Sequence, residues 1–307
     1  MLSGIFGFLG GIGMPMQTSV NARLGRKMGS PFTAAFINFV VGTAALLILT
    51  VIVERGLHIP FGEIVKNPPW ILFGGAFAVV FITANILLIP RIGSVQTAIL
   101  PALGQIIMGT LVDSFGWFGQ DIRPLSILRI IGVALVLSGV VTIILAKNVK
   151  NIETDKKQVK GIWLWRLLGI VAGMCMASQT AVNSHLGVVV GSRFYAALIN
   201  FCVGLTILFV LYLILGRGKK GSAKDQKSPW WIWIGGLFGV LFVVGNIISA
   251  QALGTGMAVI ILLTGLMVGG LLVDQFGLFE SKQRHVSWKE ILGVLIMVVG
   301  AAMFHLM

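Results

Sequence analysis

Residues 7–46 read GFLGGIGMPMQTSVNARLGRKMGSPFTAAFINFVVGTAAL, and residues 169–208 read GIVAGMCMASQTAVNSHLGVVVGSRFYAALINFCVGLTIL. Aligned without a gap, 20 of these 40 positions are identical, among them Gln17/Gln179, Thr18/Thr180, Asn21/Asn183, Asn38/Asn200, Phe39/Phe201 and Gly42/Gly204. Farther on the offset drops by one. Trp70, Gly74, Gly75, Asn85, Gly93, Asp113, Phe115 and Gly116 return as Trp231, Gly235, Gly236, Asn246, Gly254, Asp274, Phe276 and Gly277. The period is far too long for a solenoid, so the chain is a two-fold duplication of a whole unit.

What kind of unit follows from composition. The 307-residue chain is 57% hydrophobic and 11% charged, against about 25% charged in soluble domains. Its 40 glycines suit helices that approach closely in lipid. These values exclude a soluble globular protein and predict an all-α polytopic membrane protein. The net charge of +13 does not point to nucleic acid, because the basic residues sit in short connections between apolar runs, where they set topology and meet anionic lipid. Cys175 and Cys202 lie inside predicted spans opposite Gly13 and Val40 and read as packing residues, with no disulfide framework. The apolar N-terminal run lacks a basic leader and is expected to be the first transmembrane helix.

A span needs roughly 20 apolar residues. That template places spans near 3–22, 31–53, 70–90, 94–113 and 125–146, and again near 163–183, 193–215, 230–250, 254–273 and 288–306. The expected units are a first five-helix repeat at 1–147, a polar linker at 148–162 and a second five-helix repeat at 163–307. Five is odd, so if the linker crosses nothing the second repeat enters the membrane upside down. The connections after spans 1, 3, 5, 7 and 9, counted with flanking residues, carry 18 of the 23 Lys and Arg residues, which predicts that they are cytoplasmic and that both termini face outward. Ten helices in two inverted repeats form the architecture of secondary transporters, which place substrate near the midplane at the repeat interface.

Gln17-x3-Asn21-x3-Gly25, repeated as Gln179-x3-Asn183-x3-Gly187, resembles the first-helix signature of the YdcZ-like branch of the drug/metabolite transporter superfamily. Asp113-Ser-Phe-Gly-Trp-Phe-Gly, repeated as Asp274-Gln-Phe-Gly-Leu-Phe, is similar to that branch's fourth-helix ending. The likeness covers both halves and looks like the branch's fused antiparallel two-repeat form. It implies a multi-pass protein of the bacterial plasma membrane and a transporter fold, and it supplies no substrate. Small multidrug-resistance relatives hold a glutamate in the middle of the first helix. Here that stretch reads Gly-Met-Pro-Met-Gln-Thr and Cys-Met-Ala-Ser-Gln-Thr, so a proton-coupled cation mechanism does not carry over.

The spans carry amides where charge would be costly. Gln17 and Asn21 share a helical face, as do Gln179 and Asn183. Both pairs are expected to meet across the pseudo-two-fold axis and line a substrate cavity. Asn38 and Asn200, one turn before Gly42 and Gly204, read as interhelical glue. Asn85 and Asn246 fit either role, binding or glue, at about 0.6–2 kcal/mol per interhelical bond. Asp113 and Asp274 are the carboxylates expected nearest a span interior. Each lies near a helix C-terminus, against the macrodipole, so another interaction must favour it. Interfacial structure, through the Phe-Gly turn or a loop Arg, is expected ahead of ion coupling, because Asp113 lies about 28 Å along the helix from Ser94.

Pro15 and Pro101 interrupt spans in the first repeat only and are read either as openings at the site or as tolerated kinks. Gly7/Gly11, Gly169/Gly173, Gly235/Gly239 and Gly265/Gly269 read as packing seams. Arg91 reads as a lipid anchor, and the four histidines form no metal cluster. No cofactor, catalytic group or nucleotide-binding loop is expected. The expected function is a secondary transporter of a small molecule, neutral, zwitterionic or amphipathic, acting as a monomer or weak homodimer in the lipid bilayer. A channel or structural assembly is the alternative.

Overall fold

The computed structural model describes residues 2–148, 161–215 and 228–305. Most of the expected linker, 149–160, lies outside the described residues, as does 216–227. The described chain forms helices α1 (Leu2–Met28), α2 (Pro31–Val53), a short α3 (Phe61–Lys66), α4 (Gly74–Phe115), α5 (Ile127–Asn148), α6 (Ile162–Val189), α7 (Arg193–Leu215), α8 (Gly235–Leu253), α9 (Thr255–Phe276) and α10 (Trp288–His305). Nine segments of these are long and apolar enough to cross a membrane. The first helix, α1, is 27 residues long, or about 40 Å, and reaches further than the span expected to end near residue 22. Its glycines and amides lower its hydropathy, not its reach.

Local chemistry sets the boundaries. Ser30 caps α2 by accepting the Thr33 N–H, and Pro31 occupies the first turn, where its missing N–H costs nothing. Gly116 and Gly277 end α4 and α9 in the left-handed conformation (φ 66° and 61°). The 42-residue α4 is two spans. Gly93 (φ 74°, ψ 169°) breaks it, as Gly254 (φ 86°, ψ 165°) separates α8 from α9. Both ends of α4 lie at one face, with Trp70 stacking edge-on against Phe118, so the chain folds back at Gly93 into two limbs, Gly74–Gly93 and Gln96–Phe115.

Contacts between connections show the inversion. Arg23 near the end of α1 pairs with Glu280 after α9 at 3.0 Å, and Ser281 meets Ser19 at 3.1 Å. This is the basic face, which receives the connections at Arg26, Arg91 and 277–287. At the opposite, sparse face, the His58 N–H donates to the Tyr195 hydroxyl at 3.0 Å and Arg123 donates to the Leu253 carbonyl. The first helix of one repeat therefore ends beside the fourth of the other.

Each repeat lends its first helix to its partner. Along one seam α1 runs between α8 and α9, and along another α6 follows the two limbs of α4. Close approach requires glycine in these seams: a Cβ on Gly173 would overlap the Pro101 carbonyl, and one on Gly132 would sit 2.7 Å from the Gly300 carbonyl oxygen in the α5–α10 seam. On the pseudo-two-fold axis, equivalent Phe39 and Phe201 stack with ring centroids 4.9 Å apart, each seated on the other repeat's glycine, Gly204 and Gly42.

Candidate functional site

The amides do not meet as a single cluster at the midplane. Asn21 accepts from Asn38 Nδ2, which also donates to the Ala34 carbonyl at 2.9 Å. Asn183 Nδ2 donates to Asn200 Oδ1 at 3.1 Å, and Gln179 Nε2 reaches the same oxygen at 3.5 Å. Each knot joins the first two helices of its own repeat and is sealed by the opposite repeat. Gly235 lies against the Asn21 and Asn38 oxygens, and Gly74 against those of Asn183 and Asn200. These glycines open α8 and α4, so the amide oxygens face the positive ends of helices. The register explains why the pairs stay apart. Asn21 lies past the middle of α1 toward the basic face, and Asn183 past the middle of α6 toward the sparse face. At 1.5 Å per residue they differ in depth by about 20 Å.

The two copies are not in the same state. In the second repeat Gln179, Thr180 and Asn183 are all at least 97% buried, and Asn246 Nδ2 donates to Thr180 Oγ1 at 2.7 Å, joining α8 to α6. In the first repeat Gln17 and Asn21 are only partly buried and Thr18 is exposed. Asn85 bonds the Phe81 carbonyl of its own helix, and Thr18 keeps only the bond to the Met14 carbonyl that Thr180 also makes to Met176. While α6 packs along α8, α1 and the first limb of α4 hardly touch. The same residue pair is bonded toward the sparse face and parted toward the basic face.

Beside each knot lies an aromatic clasp. Phe118 and Phe279 hold left-handed φ (57° and 56°), costly for a bulky residue at about 1–3 kcal/mol. Both place the ring edge-on against a tryptophan, Trp70 at 5.6 Å and Trp231 at 5.4 Å. Recurrence in both repeats marks this strain as part of the design. His185 joins the first clasp beside Trp70 at 5.2 Å, and the Arg23–Glu280 pair braces the second.

Asp113, 99% buried, accepts the N–H groups of Thr255 and Gly256 at 2.8 and 3.0 Å. The favourable interaction that its place at the end of α4 demands is the N-terminus of α9, where a carboxylate satisfies orphan donors and the dipole together. Arg123 returns its N–H to the Asp113 carbonyl at 2.7 Å, and Arg284 does the same to Asp274 at 2.7 Å. Asp274 also accepts from the Arg284 guanidinium at 3.2 Å.

A third carboxylate corrects the sequence reading, which placed only Asp113 and Asp274 near span interiors. Glu290 is fully buried in the first turn of α10 and takes both terminal nitrogens of Arg284. It also accepts from the Ser287 N–H at 2.7 Å, as the acid of a Ser-x-x-Glu capping box does. That motif is visible in the sequence. These bonds, Glu290's foremost, push the Arg284 pKa up and keep it charged. The equivalent of Glu290 is Arg129, 7% exposed, which donates to the Arg123 carbonyl at 2.8 Å and stacks over Phe304.

Arg91 stacks on Trp165 at 4.1 Å at the basic face. Pro15 lies near Gly270, and the carbonyl of Pro101 lies on Gly173. No group of His, Cys, Asp and Glu able to hold a metal ion occurs among the described residues.

Sequence comparison accounts for both halves. The family model described as "Putative inner membrane exporter, YdcZ" matches residues 2–142 and again 164–303, and the chain belongs to this family. It is 30% identical over 133 residues to the inner membrane protein YdcZ of Escherichia coli (strain K12), covering 43% of this chain and 88% of that protein. A crystal structure shares the fold over 98% of this chain and 94% of its own, with a TM-score of 0.65 at 14% identity. The protein is a multi-pass transporter of the bacterial inner membrane.

Proposed function

We propose that this chain moves a small molecule by alternating access, acting as a monomer or weak homodimer, with its basic face toward the cytoplasm. The observation that supports this is the pair Thr180–Asn246, bonded in one repeat while its counterpart Thr18–Asn85 is parted in the other. Sequence-equivalent residues of inverted repeats in two arrangements define two ends of one motion: the first repeat can adopt the closure of the second, and the second can open. A neutral hydrogen bond has a net worth of about 0.5–1.5 kcal/mol, small enough for such a gate to exchange thermally. In the conformation described, Gln17, Asn21 and Asn85 offer polar groups on the open side. Gln179, Asn183 and Asn246 take that part when the gates exchange. Amides without a midplane charge suit a neutral, zwitterionic or amphipathic substrate.

The test uses two cysteine pairs in a variant lacking Cys175 and Cys202: Thr180→Cys with Asn246→Cys, and Thr18→Cys with Asn85→Cys. An alternating carrier forms either disulfide in membranes, and neither traps the full population at once. A channel or fixed assembly forms only the Thr180/Asn246 disulfide, and that result ends the proposal.

A further inference from the structure

The closed side of the molecule also carries bonds that its counterpart cannot reproduce. Gln251, near the end of α8, donates through Nε2 to the Ser184 carbonyl of α6 at 3.1 Å and accepts through Oε1 from Arg193 Nε, at the start of α7, at 2.7 Å. The side chain rests on Gly187, where a Cβ would sit 2.6 Å from Nε2. One amide thus ties three helices at the sparse face, just beyond the Thr180–Asn246 gate. In the first repeat the positions of Gln251 and Arg193 are held by Pro90 and Pro31. Neither proline has an amide side chain, a guanidinium or an N–H, so closing the basic face gains no such latch.

This difference bears on the direction of transport. When inverted repeats exchange states, bonds between equivalent residues broken on one face are remade on the other and largely cancel. The clasps do not discriminate either, since both are formed in the same conformation. The Gln251 bonds have no counterpart to cancel them.

We propose that Gln251 and Arg193 form a one-sided latch that sets the resting carrier closed to the outside and open to the cytoplasm, so that substrate loads from the cytoplasm. The proposal rests on the alternating-access reading and on the basic face being cytoplasmic. Two hydrogen bonds of ordinary net strength bias the two states by about tenfold.

The full-length, cysteine-free carrier with either reporter pair is combined with Gln251→Leu or with Arg193→Ala. Arg193 is exposed, so its replacement tests the latch without entering the packed interior. Disulfide yield at Thr18/Asn85 relative to Thr180/Asn246 is expected to rise about tenfold with Gln251→Leu and severalfold with Arg193→Ala. A ratio unchanged in both variants, with both disulfides forming in the parent, overturns the latch and leaves alternation standing. If the Thr18/Asn85 disulfide never forms in any background, alternation itself fails. In the parent, Gln17→Cys should react with an impermeant maleimide in inside-out vesicles and be protected in whole cells. The reverse pattern overturns the cytoplasmic loading direction.

Discussion

Replacing Asp113 with asparagine tests whether this acid is a helix cap or an ion-coupling group. Its two carboxylate oxygens accept from Thr255 and Gly256 at 2.8 and 3.0 Å inside the protein, and an uncharged amide keeps one of these acceptors. Hydrogen bonds to charged groups contribute about 1.5–3 kcal/mol each, and a charge at a partly buried helix end up to about 2 kcal/mol, with overlap between the two. The substitution also leaves Arg123 and Arg129 without their nearby anion. The sum is a loss of about 2–4 kcal/mol in Asp113→Asn. Asp274→Asn should cost less, about 1 kcal/mol, because Arg284 keeps both bonds to Glu290 when its 3.2 Å bond to Asp274 is weakened. Equilibrium unfolding of the detergent-purified protein by a graded denaturing surfactant ranks the two variants, and transport measured across a pH series reports coupling. Native stability in Asp113→Asn together with a lost pH dependence of transport would show that the carboxylate works as a coupling group and that the cap is incidental.

Two further substitutions follow from the packing. Gly74→Ala drives a methyl into Asn183 Oδ1 and to 2.9 Å from Asn200 Oδ1, so it should lower stability by about 1–3 kcal/mol, whereas Gly62→Ala, which meets nothing within 4 Å, should be neutral; equal thermal shifts for the two would refute the seal. Arg284→Gln strands fully buried Glu290 and should cost about 3 kcal/mol, the low end for a broken buried pair because Arg284 is itself partly exposed. Adding Glu290→Gln should recover part of that loss in the same unfolding assay, and no recovery would mean that the two side chains are not coupled.

The helices and the duplication were legible in the sequence because they depend on local composition and on identity between halves. The site was legible only in its residue types. Spacing places Gln17 and Asn21 on one face but does not tell which helix that face meets. Asn38, read as glue, is the hydrogen-bond partner of Asn21, and the expected meeting across the axis gives way to two knots at different depths. Glu290 escaped notice because it stands at a helix start, where an acid looks like surface. Its Ser-x-x-Glu motif was the available signal, as was the ten-residue spacing shared by Asp113/Arg123 and Asp274/Arg284. Difference of state could not be read at all: Thr18 and Thr180 are the same residue in the same motif and both donate to the carbonyl four residues back, and that Thr180 also accepts from Asn246 is a property of the whole molecule.

What the halves share and where they differ divide the work between them. Shared positions, from the amide knots and sealing glycines to the clasps and the Asp–Arg turns, are contacts that both faces need, and they would serve equally well in two identical copies. An antiparallel pair of identical units has no preferred direction, because exchanging its states regenerates the same molecule upside down. Direction must therefore enter through positions where the repeats have diverged. Gln251 against Pro90 and Arg193 against Pro31 sit at the gate that is closed in this conformation. Arg129 against Glu290 instead lies in the α5 and α10 pair, away from the gates, and gives the two faces partly buried clusters of opposite net sign: Asp113, Arg123 and Arg129 on one, Asp274, Glu290 and Arg284 on the other. A fused chain can hold such differences in place, since each copy is committed to one face, and two identical units cannot.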